Sequence, residues 1–349
     1  MTALTRPAIA AVDSTGQLDD VLGLPDHLRD ALWKAESAGL TEVEAAGGLI
    51  VAGMGGSSIG GALAKAALGD RVSRPIGLAR GYELPSWATP DTLILCSSYS
   101  GDTEETLACY EAAGALGAPR IVAASGGRLA AQAHADGVPV IPIPGGFQPR
   151  AAVGYGVVAA LEAAAVGGVA PSIRSEIDVA AAHLEQLVAA WGPDAPEDCL
   201  PKAIAAQLRG TVPVVIGAGA TVPVAYRWKT QFNENAKVPA FAGELPEVDH
   251  NEVAGWTGAA ALGRFTAVFL DDSDLHPRVR ERIALTRGIV EDEAAGTVTA
   301  SAKGDSCTER VLSLVLLGDL VTVYLAALNG TDPVRIEAID RLKAELDGE

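Results

Sequence analysis

Short apolar segments that end in a glycine-rich turn recur along this chain, and each is followed by a stretch with helical periodicity. This alternation is typical of parallel strands joined by crossover helices, so it predicts an α/β fold. The predicted strands span residues 49–53, 92–96, 120–124, 138–143, 212–217 and 265–270.

Two of these strands run into the same pattern, because LIVAGMG (49–55) and PVVIGAG (213–219) both end in G-x-G. A helical stretch and a second strand follow each of them, which indicates an internal duplication. We therefore expect two doubly wound parallel-sheet domains, 1–168 and 169–349, divided within GGVAPS. Further helices are predicted over residues 19–38, 173–190 and 336–346.

Composition and charge indicate which binding partners and which cellular compartment to expect. The net charge of −18 argues against nucleic acid or a membrane surface as partner. The four cysteines lack the spacing of zinc ligands or of a disulfide framework, which indicates a reducing compartment. The first residues lack the apolar core of a secretory signal, and the apolar stretch 311–328 carries Asp319 near its middle, which favours a buried helix over a membrane span. These features predict a cytoplasmic protein.

The glycine-rich segment after the first strand, GMGGSSIGG (53–61), suits an anion, with a helix expected from about Ala62. A dinucleotide site would need an acidic residue at the end of the next strand, and residues 74–80 contain none; a P-loop would need G-K-[ST]. The segment also matches G-x-S-x-G, which would make Ser58 the nucleophile of a serine hydrolase. A third alternative is a turn whose glycines only let helix and sheet pack closely.

A second polar loop follows the strand at 92–96. Its hydroxyl groups belong to Ser97, Ser98, Ser100 and Thr103, directly before a predicted helix over 104–115. An ordinary helix N-cap explains one or two of these residues but not the cluster. Because ligands of open parallel sheets bind at the carboxyl ends of the strands, both loops are expected to converge on one phosphate.

The motifs GMGGSSIGG, SYSGDTEET, FQPR, NENAKVP, DHNE and IDRLK occur in this order over nearly the whole chain. In these residues the chain resembles the bifunctional phosphoglucose/phosphomannose isomerases of the sugar isomerase (SIS) superfamily. The resemblance implies two SIS domains and a homodimer with active sites at the subunit interface. It also implies the interconversion of glucose 6-phosphate and mannose 6-phosphate with fructose 6-phosphate, without cofactor or metal.

The same resemblance implies individual roles. Glu234 would be the base that moves a proton between C1 and C2, and Arg150 would stabilise the enediolate, whose negative charge develops in the transition state. His250, reaching in from the partner subunit, would open the sugar ring with help from Lys343. The substrate phosphate would bind to Gly55, Gly56, Ser57, Ser98, Ser100 and Thr103.

Three positions depart from the family pattern. Ser58 replaces an expected glycine, and Asp102 replaces an expected asparagine beside the phosphate loop. Near the C-terminus, Val334 and Arg335 stand in a D-P-V-R sequence where the family has D-P-T-P, losing a threonine linked to the mannose epimer. Preference for glucose or mannose therefore stays open. A SIS module that binds a sugar phosphate as a regulator, without turnover, is the alternative from another functional class.

Overall fold

The computed structural model describes residues 4–347, which form two compact units. The five-stranded unit consists of residues 23–186 and 303–313. The four-stranded unit consists of the described parts of residues 1–22, 187–302 and 314–349. The domain boundary expected after residue 168 stays a prediction.

All strand pairs in both sheets are parallel, as the sequence predicts. The strand order is β2-β1-β3-β4-β5 in the first sheet and β7-β6-β8-β9 in the second. In each sheet the order of the strands therefore reverses at the strand that comes first along the central part of the sheet, β1 or β6. The strands are β1 (Leu49–Ala52), β2 (Ile76–Ala79), β3 (Leu93–Ser98), β4 (Arg120–Ala124), β5 (Val140–Pro142), β6 (Val212–Ala218), β7 (Phe241–Leu245), β8 (Phe265–Asp271) and β9 (Gly296–Ser301).

Helices precede, connect and follow the strands. They are α1 (Arg6–Ala10), α2 (Gln17–Leu22), α3 (Leu24–Ser37), α4 (Gly55–Leu68), α5 (Glu104–Leu116), α6 (Gly127–Asp136), α7 (Val153–Val166), α8 (Arg174–Trp191), α9 (Leu200–Leu208), α10 (Val222–Gln231), α11 (Ala259–Leu262), α12 (Pro277–Glu291), α13 (Cys307–Asn329) and α14 (Glu337–Asp347). Short 3₁₀ segments span Gly69–Arg71, Gly219–Thr221, Glu247–His250 and Glu252–Gly258, and a π-helical turn spans Phe232–Ala236.

Both faces of the five-stranded sheet are covered, as a doubly wound fold requires. On one face, Ile50, Ile94 and Val122 pack into a cluster with side chains of α5 and α6, including Tyr110 and Leu129. On the other face α4 lies close against β1, because a Cβ on Gly61 would come within 2.8 Å of the Val51 side chain. Every residue of β1 and β3 is buried, which is why β1 and the first four residues of β3 form unbroken apolar runs.

The three strands absent from the predicted set, β2, β7 and β9, all lie at sheet edges. Edge strands bury less surface, so their sequences carry a weaker apolar signal. In β7 only two of five residues are buried. β2 is four residues long and includes Gly77, which packs under the ring of Trp87.

The structure corrects one helix prediction and confirms another. The prediction of a single helix over 19–38 is wrong, because the helix is interrupted at Gly23. A second helix, α3, begins at Leu24 with a proline in its first turn. The apolar stretch at 311–328 does lie in a buried helix: α13 is long and apolar enough to cross a membrane, but 94% of its most apolar window is buried inside the structure.

Candidate active site

The two hydroxyl-bearing loops meet at the carboxyl ends of neighbouring strands in the five-stranded unit. Ala52 of β1 pairs with Cys96 of β3, so the loops leave the sheet side by side. A Cβ on Gly53 would lie 2.6 Å from the carbonyl oxygen of Ser97. This is the position where the strand order reverses, and open α/β sheets bind ligands there.

The glycine-rich segment is helix rather than loop, because α4 begins at Gly55 and not near Ala62. Its glycines serve close packing: a Cβ on Gly56 would approach the Pro149 oxygen to 2.8 Å, and one on Gly60 would approach the Gly156 backbone to 2.7 Å. Gly55 differs from them, because it has a φ of +51° and faces open space. The first turn of α4 thus presents Gly55, Gly56 and Ser57 at the carboxyl end of β1, where backbone N–H groups attract anions.

Ser58 lies inside the structure. Its side chain is 2% exposed, and its Oγ accepts a hydrogen bond of 2.6 Å from Nε of Arg80. A nucleophile elbow holds its serine exposed on a sharp turn. The arrangement around Ser58 does not supply this feature of a serine hydrolase.

The second loop is a tight turn held by its own hydroxyl groups. Ser98 Oγ lies 2.8 Å from Thr103 Oγ1 and accepts a hydrogen bond of 3.1 Å from the Gly101 N–H. Ser98 is buried, whereas Ser100 is exposed and Thr103 is half-buried at the start of α5. Ser98 therefore shapes the turn, while Ser100 and Thr103 lie nearer to solvent.

The carboxylate of Asp102 points toward a cation. Asp102 Oδ1 accepts hydrogen bonds from the Arg128 backbone N–H at 3.0 Å and from its Nε at 3.3 Å. The acid that replaces the expected asparagine is thus engaged by Arg128 and by the start of α6. This pairing reduces the repulsion that the carboxylate would exert on an anion bound at the same turn.

Arg150 lies beside the first turn of α4. Its side chain is buried, and a Cβ on Gly56 would come within 3.3 Å of the Arg150 Cα. The loop that carries it is tied to the second turn, because the Phe147 N–H donates to the Tyr99 hydroxyl oxygen at 2.8 Å. The five-stranded unit therefore brings together Arg150 and the predicted phosphate residues.

Glu234 lies in the four-stranded unit, in the π-helical turn that follows α10. It is half-buried and lines a cavity of about 530 Å³. The other lining residues are Asn233, Lys237, Thr331, Asp332, Arg335, Ile336, Glu337, Ala338 and Ile339. A carboxylate at the wall of a cavity of this size can reach a bound small molecule.

Lys237 fixes the turn that carries Glu234. It has a φ of +53°, the left-handed region that lysine rarely adopts. Its Nζ donates to the Glu234 carbonyl oxygen at 2.8 Å and to the Asp332 carbonyl oxygen at 2.6 Å. Burial alone would raise the pKa of the Asp332 carboxyl, but hydrogen bonds from the Val334 N–H and from Ser14, with the charge of Lys237, bring that pKa below its usual value.

A buried polar network supports the same turn. Arg227 of α10 pairs with Asp319 of α13 through hydrogen bonds of 3.0 and 2.6 Å, and Gln231 Nε2 donates to Asp319 at 3.0 Å. The turn itself is bound to α13, because Asn235 Nδ2 donates to Thr322 Oγ1 at 2.9 Å. Asp319, which argued against a membrane span, thus has a structural role here.

His250 and Lys343 are exposed and do not line the Glu234 cavity. His250 ends a 3₁₀ segment that is anchored by Asp249, whose carboxylate accepts from Arg282 at 2.8 Å and from Thr286 at 2.6 Å. Lys343 lies on α14, the helix whose first residues line the cavity.

Comparison with known proteins identifies the family. The model of the bacterial phosphoglucose isomerase C-terminal SIS domain matches residues 197–346. The chain is 35% identical to a bifunctional phosphoglucose/phosphomannose isomerase of Caldicellulosiruptor bescii, over 94% of this chain and 98% of that protein. A protein of the same name from Aquifex aeolicus is 36% identical, over 86% of this chain and 90% of that protein. This chain belongs to the bifunctional phosphoglucose/phosphomannose isomerase family.

Solved structures support the fold. A hypothetical protein from Thermus thermophilus superimposes with a TM-score of 0.75 at 16% identity, covering 99% of this chain and 93% of that one. Within residues 4–347, no group of three His, Cys, Asp or Glu side chains is arranged to hold a metal ion.

Two site features of this family member were absent from the sequence prediction. Arg80 follows edge strand β2, which the apolar pattern did not single out, and its contact with Ser58 depends on strand pairing. Lys237 is the second, because the sequence gives no sign of a left-handed backbone at a lysine.

Proposed function

We propose that this protein is an aldose–ketose isomerase that interconverts glucose 6-phosphate and mannose 6-phosphate with fructose 6-phosphate. The observation that carries the proposal is the 35% identity to a bifunctional phosphoglucose/phosphomannose isomerase over 94% of the chain. The hydroxyl-bearing turns at the switch point of the five-stranded sheet support it, because they suit a phosphate group.

The phosphate-binding groups are the N–H groups of Gly55 and Gly56 and the hydroxyls of Ser57, Ser98, Ser100 and Thr103. Two helices begin at these turns, α4 at Gly55 and α5 at Glu104. The N–H groups of their first turns and the partial positive charge of their N-termini favour a dianion. Substrate is therefore recognised by its phosphate before the sugar reacts.

Glu234 is the proposed base. Isomerisation moves one proton from C2 of the aldose to C1 of the ketose, and a carboxylate can accept and return it by a small rotation. Arg150 stabilises the enediolate between these steps, because its guanidinium interacts more strongly with the negatively charged intermediate than with the neutral carbonyl.

His250 opens the sugar ring by moving a proton between O1 and O5, assisted by Lys343. A histidine titrates near neutral pH and can both give and accept this proton. We place His250 in the active site of the partner subunit of a homodimer. The reaction needs no cofactor and no metal. The protein acts in the cytoplasm and binds neither nucleic acid nor a membrane.

One assay tests the proposal. Purified, EDTA-treated protein is supplied with fructose 6-phosphate, and glucose 6-phosphate and mannose 6-phosphate are measured separately by coupled enzymes. We expect both aldoses; the Val334 and Arg335 departures bear on their ratio. Binding of fructose 6-phosphate without either product would instead favour the regulatory SIS module.

A further inference from the structure

We propose that Arg80 binds the substrate phosphate and that Ser58 holds its guanidinium in place. The inference rests on the proposed function and adds a cation to a phosphate site otherwise built from hydroxyl and N–H groups. It concerns one side chain outside the predicted set and one that departs from the family pattern.

The position of Arg80 follows from strand register. Arg80 comes directly after β2, whose last residue Ala79 pairs with Ala52 of β1, which in turn pairs with Cys96 of β3. The next residues along these strands, Arg80, Gly53 and Ser97, therefore stand at the same level of the sheet. Neighbouring strands are about 4.8 Å apart, so the backbone of Arg80 lies about 10 Å from the end of β3. A long arginine side chain can cross much of that distance.

The observed hydrogen bond gives the side chain its direction. Arg80 Nε donates to Ser58 Oγ at 2.6 Å, and Ser58 is buried in α4, one residue after Ser57. The guanidinium thus lies beside the helix turn that presents Gly55, Gly56 and Ser57. A glycine at position 58 could not accept this hydrogen bond, which gives the serine a function at that position.

The local charges favour a cation here. The chain carries a net charge of −18, and Asp102, Glu104 and Glu105 surround the second turn. Arg128 is engaged by Asp102, and Arg150 is assigned to the enediolate. A guanidinium forms charge-assisted hydrogen bonds to phosphate that are about twice as strong as neutral ones, so Arg80 would offset the acidic surroundings.

The test compares Arg80→Met, Arg80→Lys and Ser58→Ala with the wild-type protein. Three quantities are measured: KM and kcat for fructose 6-phosphate, and the inhibition constant of inorganic phosphate. For Arg80→Met we expect KM and the phosphate inhibition constant to rise together by about tenfold or more, since a hydrogen bond to a charged group is lost. We expect kcat to stay within about twofold, because the phosphate does not react.

The other variants grade the effect. Arg80→Lys keeps the positive charge but loses the planar guanidinium. Its inhibition constant for inorganic phosphate should therefore lie between those of the wild type and Arg80→Met. Ser58→Ala should raise the inhibition constant of inorganic phosphate by about threefold, because the Arg80 guanidinium loses its hydrogen bond to Ser58. Arg74→Met is the matched control: Arg74 precedes the same strand at the opposite end of the sheet and pairs with exposed Glu44, so phosphate inhibition should not change.

An Arg80→Met protein whose phosphate inhibition matches that of Arg74→Met would overturn the inference. That result leaves the isomerase proposal intact, since wild-type turnover is measured in the same assay. If the wild type produced neither aldose, calorimetric titration of wild type and Arg80→Met with inorganic phosphate would still decide the role of Arg80: weaker binding by the variant supports it, and equal binding refutes it.

Discussion

At the residue scale, the side chains proposed for chemistry depend on neighbours that do not react. Glu234 stands in a turn fixed by Lys237 and Asn235. Arg150 is carried by a loop tied to the Tyr99 hydroxyl. Placing a reactive group within a narrow range of positions is what makes it effective in a transition state. Substitutions of the reactive groups should therefore affect turnover more than folding.

Glu234→Gln should lower kcat for fructose 6-phosphate by about a thousandfold or more, within the range for loss of a general base. Binding of fructose 6-phosphate, measured by calorimetry, should persist, because the proposed phosphate ligands are unchanged. Glu337→Gln is the control, since Glu337 lines the same cavity without a proposed role. Substantial residual turnover in Glu234→Gln would refute its role as base.

A second residue-scale prediction concerns Asp20 in α2. Burial, with the charges of Asp13 and Asp19, raises the pKa of its carboxyl to about 6. A raised pKa means that the ionised form destabilises the fold, so stability from this group is present at pH 4 and lost as pH rises through 6. Asp20→Asn should therefore raise the free energy of unfolding at pH 7.5 by about 1 kcal/mol, after allowance for solvent screening.

The measurement is urea denaturation of Asp20→Asn and wild type at pH 7.5 and pH 4. The gain should be much smaller at pH 4, where the Asp20 carboxyl of the folded protein is protonated. Asp26→Asn is the control, because the Asp26 side chain is 85% exposed. An equal gain at both pH values would contradict the electrostatic explanation.

At the element scale, the site depends on how strands end and helices begin. The glycines between β1 and the middle of α4 allow this helix to approach Pro149, Gly156 and Val51. The turn after β3 relies on Gly101, whose φ is +76° and whose Cβ would lie 1.9 Å from the Gly126 carbonyl oxygen. Backbone cannot give way cheaply there, so the turn accepts only glycine.

Gly101→Ala should reduce the free energy of unfolding by about 3 kcal/mol or more, combining backbone strain with overpacking. Gly117→Ala is a matched control at the end of α5: its φ is +74°, but a Cβ there would meet open space. It should cost about 1–2 kcal/mol, the strain of a left-handed alanine alone. Urea denaturation measures both, and equal losses would show that contact with Gly126 is unimportant.

At the scale of the whole molecule, the two sheets share a strand order over four strands, β2-β1-β3-β4 and β7-β6-β8-β9. The proposed division of function is nevertheless unequal. The turn after β3 is rich in hydroxyls, whereas β8 ends at Asp271 and the turn after it contains Asp272 and Asp274. An acidic turn repels a phosphate, so we expect one phosphate per chain.

The proposed homodimer, with His250 acting in the partner's active site, predicts complementation between inactive variants. Mixing His250→Ala and Glu234→Gln subunits after unfolding and refolding should restore about a quarter of wild-type activity. Half of the dimers are then mixed, and each mixed dimer has one intact site. Each variant refolded alone is the control. No recovery in mixed samples whose heterodimers are confirmed by mass would count against shared sites.

The sequence by itself determined the fold class, the central strands and the family, because buried strands are continuously apolar and the motifs lie in order along the chain. It also indicated which loops bear hydroxyl groups. Only the tertiary structure revealed the edge strands β2, β7 and β9, the helical start at Gly55, the left-handed Lys237 and the contact between Arg80 and Ser58. These features arise from pairing and packing between distant residues, and such contacts leave no periodic signal in the local sequence.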